Sequence, residues 1–352
     1  MFKIGIDLGY GEVKGINENG RRVLFPSLVG LGHDRNSDLF GTDAESMDAL
    51  HVKIGDEDYF VGNLARKESL AGASVTLEAN KINLPETRVL MATAAALLLP
   101  QGIMPVHLAT GLPLEEYESQ KAEFHRYLNN FIATVQFLGG PMQGETRTVR
   151  FLDVTIIPQG LSAMQLALYD NNKPKFDEVA RPGNLFALID VGFRTTDFAV
   201  VEIGQNKRPM LRKELCGTAN VGMSSIYRPL QQAFNKMTGR ILEERHIPRI
   251  LEEGKMFFRG KEIDLRDGIR KARAQVAREI RNRVLSAWKS EADLIRRIFL
   301  AGGGGEALVD HLADLHPVID LLDDAQMANA RGYLEAARMK EGREAAAKVG
   351  EK

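Results

Sequence analysis

One cysteine and one tryptophan occur in 352 residues, and neither sign of charge prevails: 46 Lys and Arg stand against 47 Asp and Glu, a formal net charge of -1. A lone Cys216 closes no internal disulfide, which excludes the disulfide framework of a small secreted domain; among strand-like neighbours it reads as a small buried hydrophobe rather than a nucleophile. The charge balance leaves no global field to draw in a phosphate backbone, so direct nucleic-acid binding is not expected. Long apolar runs are missing too. The longest, Met91 to Pro100, is too short to cross a bilayer and reads as a buried helix, so no membrane partner is expected. The opening Met1 to Asp7 sets a carboxylate where a signal peptide needs its apolar stretch, which points to the cytoplasm.

What is present suffices for a core: 44% of the residues are hydrophobic and 26% charged. The length exceeds what one core usually serves, so two domains are expected, 1–170 and 171–352, divided in the polar, proline-bearing stretch 170–182. Each carries an expected insertion, 30–84 in the first and the highly charged, mostly helical 239–291 in the second. Periodicity predicts strands at 3–16, 22–25, 106–110, 135–138, 149–157, 185–203, 210–215 and 295–300, and helices at 86–99, 114–130, 161–169 and 221–237. In the helical stretch 270–283, basic residues interleave with Ala, Val and Ile at helical spacing, the mark of a solvated amphipathic face. Trp288 reads as core or as an interface anchor. The Ala/Glu/Lys/Gly stretch 340–352 reads as frayed.

The two halves share a unit. Ile4-Gly5-Ile6-Asp7-Leu8-Gly9-Tyr10-Gly11-Glu12-Val13-Lys14 lies in frame with Ala187-Leu188-Ile189-Asp190-Val191-Gly192-Phe193-Arg194-Thr195-Thr196-Asp197. Each is an apolar strand ending in Ile-Asp, an aliphatic residue, Gly, an aromatic, a short turn and a second strand, so the architecture is duplicated. A tight glycine-bearing turn exposes successive backbone N–H groups, a concavity suited to a polyphosphate. Asp7 and Asp190, at the mouths of the turns, suit Mg2+, which keeps several waters and takes few protein ligands. Lys14 can reach back as a point charge. Taken singly, each Asp-x-Gly is also what an ordinary hairpin turn would show; the pair is what carries the reading.

These residues resemble the actin, DnaK-type chaperone and sugar-kinase superfamily. Asp7 to Lys14 is similar to its first phosphate loop, Val154 to Met164 to the first connecting helix, Ile189 to Thr196 to the second phosphate loop, Phe299 to Leu308 (FLAGGGGEAL) to the adenosine motif, and Ala328 to Tyr333 (ANARGY) to the second connecting segment. The opening Asp-x-Gly-Tyr-Gly-x-x-Lys, the segment Thr110 to Leu114 followed by Tyr117, and ANARGY resemble the ParM/StbA plasmid-segregation actins and their archaeal and phage relatives. The resemblance implies a duplicated α/β fold, ribonuclease H-like in each half, with a nucleotide held between the halves. It implies ATP, or GTP, with Mg2+ as cofactors. The implied nucleotide-binding residues are Asp7, Gly9, Tyr10, Gly11, Lys14, Gly192, Phe193, Arg194, Thr195, Thr196, Gly302, Gly303, Gly304 and Glu306, the last opening the helix after the glycines. Asp7 and Asp190 are the implied metal ligands, and Gln159 and Asp190 the residues on which hydrolysis depends.

Two positions depart from the family pattern. Where ParM-like proteins commonly have Pro-Glu-Ser, this chain has Pro158-Gln159-Gly160; a carboxamide there orients water without being a strong base, so slow turnover is expected, with helix capping as the competing role. Arg194 stands where a small residue is usual and can meet phosphate or solvent. Thr195 and Thr196 can offer hydroxyls to phosphate or serve as β-branched strand residues, and the glycine run can equally serve flexibility. The expected function is a polymerising ATPase, its partners itself, head to tail, and a DNA-bound adaptor. The alternative is a small-molecule kinase on the same fold, although no substrate-binding segment is recognisable.

Overall fold

The computed structural model describes residues 1–33, 46–68, 74–75, 84–170 and 173–350. Of the stretch 30–84 expected as an insertion, 34–45, 69–73 and 76–83 lie outside the described residues, as do 171–172 and 351–352. The chain divides into two compact units, residues 1–166 with 327–352, and residues 167–326.

The first unit opens with β1 (Phe2–Leu8), β2 (Glu12–Asn17), β3 (Arg22–Pro26), β4 (Leu28–Leu31), β5 (Ala49–Ile54), β6 (Glu57–Gly62), the short α1 (Asn63–Glu68) and β7 (Ser74–Val75). It continues through α2 (Pro85–Leu98), β8 (Val106–Leu112), α3 (Tyr117–Asn129), β9 (Ile132–Gly139), β10 (Thr146–Pro158) and α4 (Leu161–Leu168). The strand order is β3-β2-β1-β8-β10-β9-β5-β6-β4-β7. The long β10 serves two neighbours: residues 151–158 run parallel to β8, and residues 146–150 run antiparallel to β9, with a register shift between Phe151 and Asp153. The described part of 30–84 therefore extends the sheet through β5 on β9.

The second unit comprises β11 (Tyr169–Asp170), β12 (Lys173–Pro174), β13 (Leu185–Val191), β14 (Thr196–Ile203), β15 (Pro209–Leu211) and β16 (Gly217–Ala219). There follow α5 (Tyr227–Thr238), α6 (Ile247–Glu253), β17 (Lys255–Phe258), β18 (Lys261–Asp264), α7 (Arg266–Trp288), β19 (Ile295–Ala301), α8 (Gly302–Leu312) and β20 (Ile319–Leu321). Its sheet runs β15-β14-β13-β19-β20, with β16 on β14. The pairing repeats that of β3-β2-β1-β8-β10, two antiparallel steps and then two parallel ones. The parallel steps require crossovers, supplied by helices that cover the apolar strands. The duplication read from the sequence is thus a duplication of topology.

Differences from expectation have local causes. The strand expected over 210–215 ends at Leu211 and gives way to a single 3-10 turn at Lys213–Leu215. The stretch 239–291 contains a β17–β18 hairpin that its charged composition concealed. Along α7 the residues Ile269, Ala272, Val276, Ala277, Ile280, Val284 and Trp288 are buried, the seam that the periodicity required. Trp288 is 1% exposed and donates its indole N–H to the Leu215 carbonyl at 3.0 Å, so it is core.

The closing helix α9 (Ala328–Gly350) was expected with the second half, yet it packs in the first unit. On the β1–β2 ladder Gly5 faces Ile16, and Ile6 faces Gly15. A Cβ on Gly5 would strike the Ala330 carbonyl, and Ile16 packs with Ala330 and Leu334. A Cβ on Gly15 would meet Leu98 of α2 at 2.8 Å. Because neighbouring positions along a strand alternate in face, α9 and α2 cover opposite faces of the same sheet. Of the end expected to fray from 340 onward, 340–350 continues α9 and its first two residues are tied down, while 351–352 lie outside the described residues. Lys340 Nζ lies 2.7 Å from both carboxylate oxygens of Asp153, and Glu341 lies 2.6 Å from Lys3 Nζ.

Candidate functional site

In the first unit β1 delivers Asp7, and the turn Gly9-Tyr10-Gly11 leads into β2. Ser27 holds this turn from behind, its hydroxyl donating to the Gly9 carbonyl at 2.7 Å and its N–H to the Gly11 carbonyl at 2.9 Å. With those carbonyls engaged, the amide edge of the turn is the one suited to an anion. A side chain at Gly9 would meet the Glu12 carbonyl at 2.6 Å, so the turn accepts only glycine there. Asp7 and Lys14 are directly opposed in the ladder and therefore share a face.

The first connecting segment reaches this loop. Gln159, on the turn between β10 and α4, donates Nε2 to Asp7 Oδ1 at 3.2 Å. Asp7 is only 5% exposed. An amide nitrogen only donates, so with Nε2 on Asp7 the carboxamide oxygen Oε1 is the acceptor that the side chain has left to offer elsewhere. The structure thus brings Gln159, far away in the chain, to the loop that carries Asp7, Gly9, Tyr10, Gly11 and Lys14.

In the second unit β13 delivers Asp190, 6% exposed, and the turn Gly192-Phe193-Arg194-Thr195 is closed by a Gly192 N–H to Thr195 carbonyl bond of 2.9 Å. The segment after β16 braces it. The N–H groups of Met223 and Ser224 donate to the Gly192 and Phe193 carbonyls at 3.0 and 2.7 Å. Phe193 sits edge-on to Tyr227 with centroids 5.7 Å apart. Arg194 and Thr195 are half-buried in the turn. Thr196 is different: at 0% exposure its hydroxyl donates to the Val221 carbonyl at 2.8 Å, which makes it a buried tie to the bracing segment.

The glycine run is not a loop. Gly302, Gly303 and Gly304 form the first turn of α8, and Glu306, expected to open that helix, lies exposed within it. The physical reason is close approach. Gly302 has φ 78°, and a Cβ there would come within 2.5 Å of Asp190 Oδ1; one on Gly304 would meet Met223 at 2.9 Å and strike Val191. Glycine alone lets a helix N-terminus, a favourable place for an anion, abut the end of β13.

Two residues escaped the sequence reading. Asp197 faces Asp190 across the β13–β14 ladder and accepts a 2.5 Å hydrogen bond from Thr218 Oγ1; the signal was available, since the internal repeat sets Asp197 against Lys14. Asn329, buried on α9, accepts the Gly160 N–H at 3.2 Å. Cys216, half-buried, accepts from the Val200 N–H and donates to the Arg212 carbonyl, and burial pushes its thiol up, away from the thiolate.

Among the described residues no three His, Cys, Asp or Glu side chains gather as a metal cage. What each loop offers is a buried strand-end carboxylate, Asp7 or Asp190. That donor set fits Mg2+, which takes one or two carboxylates and fills its shell with water and phosphate oxygens. No described helix is long and apolar enough to cross a membrane.

Residues 5–161 match the family of actin-like proteins, N-terminal domain, and residues 188–314 match the C-terminal domain of the archaeal, MreB-like actin homologues. A ParM solved as a 15-stranded filament from Clostridium botulinum is 36% identical, with a TM-score of 0.86 over 96% of this chain and 99% of that one. The chain belongs to the ParM-type actin-like family. The actin-like chain is also 27% identical over 351 residues to an archaeal actin homologue of Thermoplasma acidophilum, covering 96% of this chain and 99% of that one. An archaeal actin homologue solved with ADP shares its fold at 22% identity and a TM-score of 0.77, over 96% of this chain and all of the other. Its two sheets of like topology are the duplicated actin-like fold.

Proposed function

We propose that this actin-like chain binds and hydrolyses ATP and assembles with copies of itself into filaments that segregate DNA, in the cytoplasm. The Gln159–Asp7 contact is the observation that carries the hydrolytic reading, because it joins the first connecting segment to the first turn with a defined polarity. Assembly is supported by family membership and by the relative solved as a filament.

Each turn, 9–11 and 192–195, offers an amide edge to phosphate oxygens, with Lys14 on the first and Arg194 on the second supplying positive charge. Asp7 and Asp190 are the residues that would hold Mg2+, which neutralises charge on the phosphate oxygens. The glycine turn at Gly302 to Gly304 gives the nucleoside close access to backbone. Gln159 Oε1 accepts a hydrogen bond from the attacking water and turns its lone pair toward the terminal phosphorus; as the new P–O bond forms, the bond to the nucleoside diphosphate breaks and the water's proton passes to the released phosphate. A carboxamide takes up no proton, so turnover is slow. None of these contacts distinguishes ATP from GTP. Head-to-tail contacts that do not close into a ring give filaments, and a DNA-bound adaptor links them to cargo.

Right-angle light scattering after addition of Mg-ATP or Mg-GTP, with phosphate release recorded in parallel, tests this reading. Scattering that rises above a threshold concentration, followed by phosphate, is the expected result. Absent scattering, with phosphate transfer only when small hydroxyl compounds are supplied, would replace it with a kinase.

A further inference from the structure

Pro158, Gln159 and Gly160 join β10 to α4, and the backbone there is pinned at two consecutive amides. The Gln159 N–H donates to the Leu112 carbonyl of β8 at 2.8 Å. The next amide, Gly160 N–H, donates to a side chain, Oδ1 of Asn329 on the first turn of α9, at 3.2 Å. Gly160 has φ 84°, a conformation that favours glycine, and its carbonyl accepts the Met164 N–H that starts α4. The two pinned peptide planes flank the Gln159 Cα, so together they fix the direction of its side chain.

The helix that supplies Asn329 is itself seated at this point. A Cβ on Gly332 would lie 2.5 Å from Ser162 backbone atoms, and one on Gly111 would strike Tyr333. Asn329, Gly332 and Tyr333 are three and four positions apart and so share one helix face. Asn329 is 6% exposed, and removing its acceptor would leave a buried N–H that the loop can satisfy only by moving.

We propose that Asn329 is a positioning residue for nucleotide hydrolysis: by accepting the Gly160 N–H it fixes the peptide after Gln159, which keeps the carboxamide on Asp7 with Oε1 presented to the attacking water. This rests on the ATPase reading above. It makes a chemical demand of the side chain, an acceptor oxygen at one point, and no demand on nucleotide affinity, because the turn 9–11 is held separately by Ser27.

The test compares Asn329→Leu, which keeps the bulk and removes the acceptor, with Asn329→Asp, which keeps the acceptor. Single-turnover phosphate release at saturating ATP and the dissociation constant of a fluorescent ATP analogue are measured for both, in the wild-type and Gln159→Ala backgrounds. Asn329→Leu is expected to slow hydrolysis by about tenfold or more through misplacement of Gln159, leave the dissociation constant unchanged, and have no further effect once Gln159 is alanine. Asn329→Asp is expected to recover most of the rate. An undiminished effect in the Gln159→Ala background, a loss confined to affinity, a wild-type rate in Asn329→Leu, or no recovery in Asn329→Asp would each overturn the assignment. Asn329→Ala replaces the leucine variant, under the same criteria, if the latter does not fold. A wild-type chain that hydrolyses no nucleotide is a separate outcome and removes the ATPase reading itself.

Discussion

At the scale of the residue, the polarity of the Gln159–Asp7 contact sets the expectations. On the proposed mechanism Gln159→Ala keeps the phosphate contacts and loses the water's acceptor, so hydrolysis is expected to fall by about 10²-fold while nucleotide affinity holds, which single-turnover phosphate release beside a binding titration checks. Asp190→Ala removes a carboxylate proposed to hold Mg2+ and is expected to abolish turnover at every Mg2+ concentration tested. Gln159 was legible because it stands two residues from the end of an apolar strand, inside a recognisable segment. Asn329 was not, because its partner lies 169 positions away and the bond involves a backbone amide that no sequence displays. Thr196 misled for the converse reason: a hydroxyl beside a phosphate loop looks the same in sequence whether it faces a ligand or the Val221 carbonyl.

At the scale of the element, α9 is fastened to its sheet by charge as well as packing. Lys3 of β1 and His107 of β8 are register neighbours, and so are His107 and Asp153 of β10; α9 closes over this row with Lys340 on Asp153 and Glu341 on Lys3. The hydrogen bond from Lys3 holds the Glu341 carboxyl below its ordinary 4.5, and that bond together with Glu18 holds Lys3 above 10.5 against the cost of burial. A lowered carboxyl contributes stability above its unfolded value and loses it as pH falls through the folded one. A raised ammonium contributes below its unfolded value and loses it as pH rises through the folded one. The fastening is therefore complete between about pH 5 and 10 and fails at both ends. Glu341→Gln is expected to melt below wild type at pH 7, with the difference vanishing as the pH drops under the folded value of Glu341; a difference that persists in acid would show that the ion pair contributes nothing. None of this was legible from 340–352, whose composition matches a solvated tail and whose partners come from β1 and β10. The strands themselves were legible, since buried parallel strands are continuous apolar runs, whereas the β17–β18 hairpin lacks such a run because only one of its faces packs on the core, half-buried through Met256, Phe258 and Ile263.

At the scale of the molecule, the two units differ in how they are written along the chain. Residues 167–326 are contiguous and carry their own cores, one between the β13–β14–β19 strands, α7 and α8, the other among α5, α6 and the hairpin. A fragment of 167–326 is expected to melt cooperatively by itself, whereas a fragment ending at residue 166 lacks the cover over Gly5 and Ile16 and is expected to aggregate. Circular dichroism melts and size-exclusion profiles of the two fragments decide this, and a well-behaved 1–166 would show that α9 is dispensable. The duplicated hairpins announced the repeated topology in sequence. The return of α9 had no such announcement, because helix faces alone do not say which sheet they cover.

That return also orders the molecule in time. On the ribosome β1 is made before the helix that covers its Gly5 face, and all of 167–326 is made between them. At about 5–20 residues per second the interval is on the order of ten seconds or more. Through it the nascent chain holds out an apolar sheet face, an exposure that follows from the order of its elements rather than from their composition.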